Sequence, residues 1–417
     1  MEELATVGEF GGNLKRELKK LFLLALGIKP DDALAEEFSL VASKGPNRKV
    51  GDYQCNDIMH KLAPKPSQSD FTRLIVSNFP ASEMVKSCSV TGCGFINVVI
   101  SSDFMAKSIE NMLINGIDTW APTLPVKRAV VDFYSPSIAK QLHVGHLRSP
   151  IIGDTIARLL EYSKVQVVRR NHVGDWGTQL GLIIEYLFED FPGLPNDAVI
   201  TIEYIEALYI KSKAKFDEDP VFKEKAKRAL VRLQRGSPVY VKAWAKICEI
   251  SRTESNKELD LTAEAIGYSV VKFADLKNNR LSSYTFSYDQ MLCDKGKTAV
   301  YLHYAHARIC SIIRKSGKDI DELKKAGKLA LDHADERALG LHLLRFSETV
   351  EEACTKLLPH LVCEYLYGLS EQCSKFYHNC QVIGSAEETS RLLLCEATGI
   401  VMRKCFHLLG ITPVYKL

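Results

Sequence analysis

Pairs of cysteines at metal-ligand spacing are missing from this chain. Its twelve cysteines are scattered over 417 residues, no CxxC occurs, and the nearest pairs, such as Cys88 and Cys93, have four residues between them. No HExxH occurs either, so a zinc or redox centre has no ligand pattern to stand on, and reduced thiols in a cytoplasmic protein are the plain expectation. Long apolar runs are also lacking. The N-terminal run LFLLALGI (Leu21 to Ile28) is too short to cross a bilayer and has no cleavage site after it. The start, with Glu2 and Glu3, lacks the cationic, acid-poor character of a transit peptide. An excess of one charge is absent as well: 54 basic residues face 51 acidic ones, a net charge of +3. Any site for a polyanion must therefore be a local patch.

What is present is enough apolar residue, 46% of the chain, for about two to four packed domains. Leu14, Leu18, Leu21, Phe22 and Leu26 recur at helical spacing and the run stops near Gly27 and Pro30. A loop rich in Lys, Pro, Ser and Gln (Lys61 to Ser69) precedes a second helical pattern, and GFINVVI (Gly94 to Ile100) reads as a buried strand. These make a small α+β domain over residues 1–120, followed by a proline-bearing linker, DTWAPTLPV (Asp118 to Val126). RAVVDFY, IIGDTIARLLEY and VQVVRRNHV then follow as strand, helix and strand, a βαβ unit of a parallel sheet with a nucleotide crevice at its strand ends. From Thr262 to Leu417 nearly every segment has helical period, which predicts a helical bundle.

Between the first strand and its helix lies SPSIAKQLHVGHLRSPIIGD (Ser135 to Asp154). His143 and His146 flank Gly145 where a helix N-terminus offers free N–H groups to a phosphate. On spacing alone, ordinary packing or capping is favoured over phosphate binding as the reading of two histidines.

The surrounding strings VDFYSPSIAKQLHVGHLRS and RRNHVGDWGTQLGLIIEYL resemble the catalytic signature region of class I aminoacyl-tRNA synthetases, HVGH standing for the HIGH motif, and specifically the arginyl-tRNA synthetase family. GCGFINV is similar to the end of that family's N-terminal tRNA-elbow-binding domain; TAVYLHYAHARICSIIRK and LGITPVYKL are similar to its helical anticodon-binding domain. The resemblance implies an α/β plus all-α architecture: an N-terminal domain over 1–120, a truncated Rossmann-like catalytic domain over 126–261, and a helical stem with an anticodon-binding bundle over 262–417. It also implies ATP as substrate with Mg2+, no protein-bound metal, and L-arginine and tRNA(Arg) as further partners. A cytoplasmic monomer without membrane contact is expected, association with other synthetases or a full-length copy being the alternative. By the same resemblance His143, Gly145 and His146 would meet the ATP phosphates and Lys140 would add a point charge. Asp132, Ser137 and Gln179 would hold the arginine, a carboxylate being suited to grip a guanidinium with two hydrogen bonds.

Three departures from the family pattern stand out. Ser137 replaces the asparagine of SPN, offering a hydroxyl where the family has an amide. Pro150 replaces a threonine and is expected to disturb the first turns of the helix. After AWAKICEISRTE (Ala243 to Glu254) the chain passes almost directly to the helical stem, so a domain-sized piece carrying the remaining parallel strands and the KMSKS loop is absent, and no KMSKS-like string occurs elsewhere. Half a doubly wound sheet should show an open edge and an uncovered apolar face.

For RNA, YLHYAHARICSIIRKSGKDIDELKKAGK mixes aromatic side chains with cations, the combination that single-stranded loops require. On composition alone a basic amphipathic helix is more often a solvated face; the resemblance reverses that and singles out Tyr301, Tyr304 and Arg308 as facing the anticodon loop. Phe95 and Asn97 are the corresponding candidates for the tRNA elbow, against the plain reading of a half-buried strand.

Overall fold

The computed structural model describes residues 12–30, 38–43, 51–55, 68–91, 94–133, 144–171, 177–192, 200–253, 261–285, 287 and 296–416. Two compact units emerge: Met1–Ala129, Arg158–Gln166 and Ala265–Leu417 form one, Val130–Ala157 and Val167–Glu264 the other.

In the first unit, helix α1 (Leu14–Ala25) is capped by Asn13, whose side chain accepts from the Arg16 N–H at 3.1 Å, and it buries Leu14, Leu18, Leu21 and Phe22 as their spacing predicts. Strands β1 (Leu40–Ala42) and β2 (Tyr53–Cys55), helix α2 (Gln68–Ser77), strands β3 (Val85–Thr91) and β4 (Phe95–Ile100) and helix α3 (Ser102–Asn115) follow. The four strands pair antiparallel in the order β1-β2-β4-β3, with Tyr53 opposite Val98 and Ser89 opposite Asn97. Ile96, Val98 and Ile100 are buried, and Phe22 meets Phe38 and Phe79 edge-on at 5.9 and 5.3 Å. The segment read as a linker begins as a 3-10 turn, Ile117–Trp120, that buries the Trp120 indole almost completely. Burial of so large a ring ties the linker down although Pro122 and Pro125 follow it.

Strand β5 (Arg128–Asp132), helix α4 (Val144–Tyr162) and strand β6 (Gln166–Arg170) realise the βαβ reading. The Gln166 N–H donates to the Lys127 carbonyl and the Phe133 N–H to the Arg170 carbonyl, so the partners rise together and the strands run parallel. Among the described residues this sheet has two strands. Val130 is 62% and Val168 40% exposed, two apolar residues left uncovered on a face that also carries Arg128, Asp132, Gln166 and Arg170.

Helices α5 (Thr178–Asp190), α6 (Ile202–Glu218), α7 (Pro220–Gln234) and α8 (Pro238–Thr253) pack around Leu180, Ile183, Ile184, Leu187, Phe222 and Ile247. Gly181 lets α5 lie directly on α7: a Cβ there would fall 2.3 Å from the Ala226 carbonyl oxygen. The junction at residues 254–260 lies outside the described residues.

The C-terminal part is the helical bundle that the period predicts: α9 (Leu261–Leu276), α10 (Ala299–Ser316), α11 (Ile320–Ala326), α12 (Ala334–Leu344), α13 (Phe346–Lys356), α14 (His360–Asn379) and α15 (Glu388–Leu408). Helix α10 starts at the Thr298 cap and stops at Gly317, whose φ of 64° is left-handed. Inside the bundle His303 stacks on Phe406 with ring centroids 5.0 Å apart, and burial holds its pKa down to about 4, so the ring is neutral.

A buried polar clasp joins the N-terminal sheet to this bundle. Arg337 on α12 donates to both carboxylate oxygens of Asp52 at 3.0 and 2.6 Å, and Asp52 Oδ2 also accepts the Ile100 N–H at 2.7 Å. Arg345 donates to the Asp52 carbonyl at 2.8 Å while its guanidinium lies over the Tyr53 ring, 5.0 Å from the centroid. Tyr53 Oη donates to Glu348 on α13 at 3.0 Å, and Lys15 stands 3.9 Å from the same carboxylate. Desolvation by burial raises the Glu348 pKa against the opposing pull of Lys15 and Arg345.

Arg345→Ala is expected to destabilise the protein by about 3 kcal/mol, because Asp52 and Glu348 stay buried with less compensation; urea unfolding measures it, and a loss within the scatter of surface substitutions would remove the clasp from the fold's supports. A raised carboxylate pKa means that the native state holds the Glu348 proton more tightly than the unfolded chain. Its contribution to stability is therefore fullest at low pH and is lost as pH rises through the folded value. Glu348→Gln keeps an acceptor for Tyr53 but should abolish that part, so the variant gains on the parent as pH increases; a stability difference independent of pH would contradict this.

Candidate active site and RNA interface

Asp132 closes β5 and is exposed at its C-terminal end, and α4 begins at Val144 with Gly145 second and His146 third. The side chain of His146 is half-buried in that first turn. A 19-residue helix directs its positive dipole end toward whatever occupies its start, which suits a phosphate. Lys140, Ser137 and His143 lie outside the described residues, as does the stretch 172–176 of the NHVGDWGTQ signature.

The seating of α4 depends on a glycine. A Cβ on Gly153 would stand 2.2 Å from the Phe133 ring and 2.5 Å from Phe133 Cβ, so the helix crosses the residue following β5 at a distance only glycine permits. Asp154 stands 3.6 Å from Arg169 of β6 and adds an ion pair at the same crossing. The expected disturbance by Pro150 does not appear: both Ser149 and Pro150 are helical, and Pro150 is the seventh residue of α4 rather than the first. Proline at that place has no N–H to give the His146 carbonyl one turn back; the remaining hydrogen bonds and the packing of Ala157, Leu159 and Leu160 carry the helix through.

Gln179 is the second residue of α5 and exposed; Gly177, its cap residue, supplies no side-chain hydrogen bond and has a φ of 154°. Asp132, His146 and Gln179 all belong to the second unit. Among the described residues no group of three His, Cys, Asp or Glu side chains is placed to hold a metal ion, and no helix is long and apolar enough to cross a membrane. Cys363 and Cys373 are buried and form no disulfide, and burial pushes the Cys373 thiol up to about 12, far from reactive.

In the first unit the RNA candidates separate by exposure. Phe95 presents its ring to solvent, whereas Asn97 is 1% exposed, donating to Thr91 Oγ1 at 2.7 Å and accepting from Gln54 Nε2 at 3.0 Å. Its amide is engaged in holding the sheet. Tyr301, Tyr304 and Arg308 share one stripe of α10. Tyr304 is 51% exposed, and the Arg308 guanidinium is sandwiched 4.6 Å from the centroids of both Tyr304 and Tyr377. Tyr301 packs on Tyr367 at 5.5 Å and its hydroxyl reaches Ser374 Oγ at 3.3 Å. The stack joins α10 to α14, and Tyr377 and Tyr367 were invisible to reading α10 by itself. Several cations of the basic segment are already engaged: Lys318 with Glu388 at 3.2 Å, Lys324 with Asp321 at 3.1 Å, and Arg314 with the Tyr415 carbonyl at 3.3 Å. Leu417 lies outside the described residues.

Comparison with known proteins places three family models along the chain: the arginyl tRNA synthetase N-terminal domain over residues 10–100, the catalytic domain of class I (R) tRNA synthetases over 108–262, and the DALR anticodon binding domain over 302–417. The chain is 48% identical to the chloroplastic/mitochondrial arginine–tRNA ligase of Arabidopsis thaliana, covering 99% of this chain and 92% of that one. It is 46% identical to the cytoplasmic ligase of the same plant, with both chains covered completely. Those alignments run over 598 and 596 positions against 417 residues here, so the relatives carry a domain-sized stretch without a counterpart. In fold the chain is similar to the arginyl-tRNA synthetase of Plasmodium falciparum, with a TM-score of 0.81 at 24% identity over 97% of this chain and 99% of that one. The Thermus thermophilus enzyme gives 0.73 at 17% identity, over 97% of this chain and 100% of that one.

Gly153→Ala should cost about 1–3 kcal/mol by overpacking against Phe133. The double variant with Phe133→Ala should recover part of that loss; additive costs in urea unfolding would show that the two residues are not in contact.

Proposed function

The chain belongs to the arginyl-tRNA synthetase family, whose members are arginine–tRNA ligases, and from that premise we propose that it binds ATP, L-arginine and tRNA(Arg) and joins the amino acid to the tRNA. The observation that carries this reading is the βαβ corner: a strand ending in Asp132, then a helix whose first turn holds Gly145 and His146. In the first step the arginine carboxylate attacks the α-phosphorus of ATP, and pyrophosphate leaves. In the second, a hydroxyl of the tRNA's terminal adenosine takes the arginyl group from the adenylate and AMP leaves. His143, His146 and Lys140 would donate hydrogen bonds and positive charge to phosphate oxygens as charge develops on them, and the α4 N-terminus would add its dipole. Asp132 would pair with the guanidinium, with Ser137 and Gln179 supplying further polar contacts. Magnesium would arrive on the phosphates themselves, since that ion keeps several waters and is held largely through substrate oxygen.

Toward the tRNA, the Tyr304–Arg308–Tyr377 stack is suited to an unstacked anticodon base and its phosphate, with Tyr301 beside it on the same stripe. At the elbow Phe95 is the surface candidate and Asn97 the residue that orders the strand beneath it. We place the protein in the cytoplasm as a monomer.

A second reading is tRNA binding without charging. The open sheet favours it: Val130 and Val168 face solvent, and the walls of the ATP and arginine pockets that a relative's extra stretch would supply are absent.

One experiment separates the readings: charging of tRNA(Arg) with arginine by the whole chain, alongside tRNA binding. On the first reading His146→Ala lowers the charging rate about 10²- to 10³-fold and leaves tRNA affinity unchanged. Binding without detectable charging selects the second. Arg308→Ala should weaken tRNA(Arg) binding on either reading; unchanged affinity would take the α10 stripe out of the interface.

A further inference from the structure

Nearly balanced overall charge requires any polyanion site to be local, and the second unit contains such a concentration outside the βαβ corner. Helix α7 and the residue after it carry Lys223, Lys225, Lys227, Arg228, Arg232 and Arg235 against a single acid, Glu224. All six cations are exposed. Phe222, Ala226, Ala229 and Leu233 turn the other side of the helix into the four-helix core. The spacing of three, four and three residues puts Lys225, Arg228, Arg232 and Arg235 on one flank, about 15 Å from end to end, with neighbours about 5–6 Å apart.

Three of the six cations have company. Lys227 pairs with Glu224 at 3.0 Å, Lys223 lies over the Phe216 ring at 5.3 Å, and Arg232 donates to Tyr240 Oη at 2.8 Å, which in turn donates to Glu185 at 2.8 Å. Lys225, Arg228 and Arg235 make no ion pair with any described residue; Arg228 feels Glu224 only at longer range, and Lys227 already holds that carboxylate. Their charge is thus uncompensated at short range, on a helix held in place by the close Gly181 contact.

We infer that the flank of α7 formed by Lys225, Arg228, Arg232 and Arg235 is an RNA-backbone-binding surface, which meets successive phosphates of the tRNA independently of sequence. This rests on the tRNA reading above and adds a surface to it. The apolar side chains exposed among these cations are isolated valines, Val221 and Val231, and the Tyr240 ring beneath Arg232 is buried, so the flank suits a phosphate chain better than a protein partner, whose interfaces centre on clustered aromatic or aliphatic groups. A membrane is disfavoured because the helix has already committed its apolar face to the core and has none to insert.

The test is tRNA(Arg) binding by the whole chain, followed by fluorescence anisotropy over a salt series of about 50–200 mM, for the parent and for the triple variant Lys225→Gln, Arg228→Gln, Arg235→Gln. Arg232 is left in place because it holds Tyr240. Each phosphate that is no longer neutralised should flatten the slope of log affinity against log salt by about 0.7–0.9, so the triple variant's slope should fall by about 2 and its binding weaken at least ~10-fold at the low-salt end. A tRNA of unrelated sequence should bind the variant more weakly by the same factor. Should the triple variant fail to match the parent's circular dichroism, the single Arg228→Gln replaces it, with a slope change of about 0.7–0.9. A parent that binds with a slope the variants leave unchanged overturns the inference and leaves the tRNA reading standing. A parent that binds no tRNA overturns both. Loss of binding to phosphatidylserine vesicles, with tRNA binding intact, would overturn the inference by reassigning the flank to lipid.

Discussion

The clasp around Asp52 ties two distant parts of the chain into one body. Asp52 and Tyr53 come from the start of β2, Arg337 from α12, Arg345 and Glu348 from the start of α13, and none of these groups can be buried alone without a heavy desolvation penalty. Each is tolerated because the others are there: Arg337 meets the Asp52 carboxylate with two nitrogens, Arg345 uses a carbonyl and a ring, and Tyr53 donates its hydroxyl hydrogen to Glu348. The first unit therefore unites Met1–Ala129 with Ala265–Leu417 even though the second unit interrupts them in sequence. The N-terminal sheet and the C-terminal bundle keep one spacing because something this specific locks them, and charge pairing in a dry interface is specific in a way that apolar contact is not.

The second unit shows the opposite arrangement. Its four helices close a core of their own, sealed by the glycine contact of α5 on α7, while two apolar residues of the strands beside them face solvent. Parallel strands normally have helices on both faces. With β5 and β6 this condition is met on the α4 side, where Gly153 rides on Phe133, and unmet on the side of Val130 and Val168. The local geometry that presents Asp132 and His146 is made by β5, β6, α4 and their crossing.

The two surfaces proposed for RNA use cationic side chains in different ways. On α10 the Arg308 guanidinium is held between two tyrosine rings, so its orientation is fixed by the protein itself. On α7 Lys225, Arg228 and Arg235 are held only by the helix that spaces them, with Arg232 fixed on Tyr240 between them, an arrangement suited to a regular chain of phosphates rather than to any one base. The lysines around α11 looked equally basic in sequence, but Lys318 and Lys324 meet acidic partners from α15, and a charge already paired attracts a phosphate weakly.

Residue patterns alone determined most of the architecture: the helical period of Leu14 to Leu26, the strand GFINVVI, the βαβ order around HVGH and the long helices after Thr262, because these follow from which faces must be apolar. They also marked the interruption after Glu254, since a missing segment is visible as a missing string. Pairings between distant residues were not legible. That Asn97 is an internal ligand of Thr91 and Gln54 while Phe95 faces out, that Tyr377 completes the stack on Arg308, and that Pro150 sits within α4 without ending it are outcomes of packing from other elements. The physical reason is the range of the forces involved. Periodicity and capping act within one element and are written in consecutive residues, whereas burial, charge pairing and close crossings join residues as far apart in sequence as Tyr53 and Arg345, and only the tertiary structure decides which of them meet.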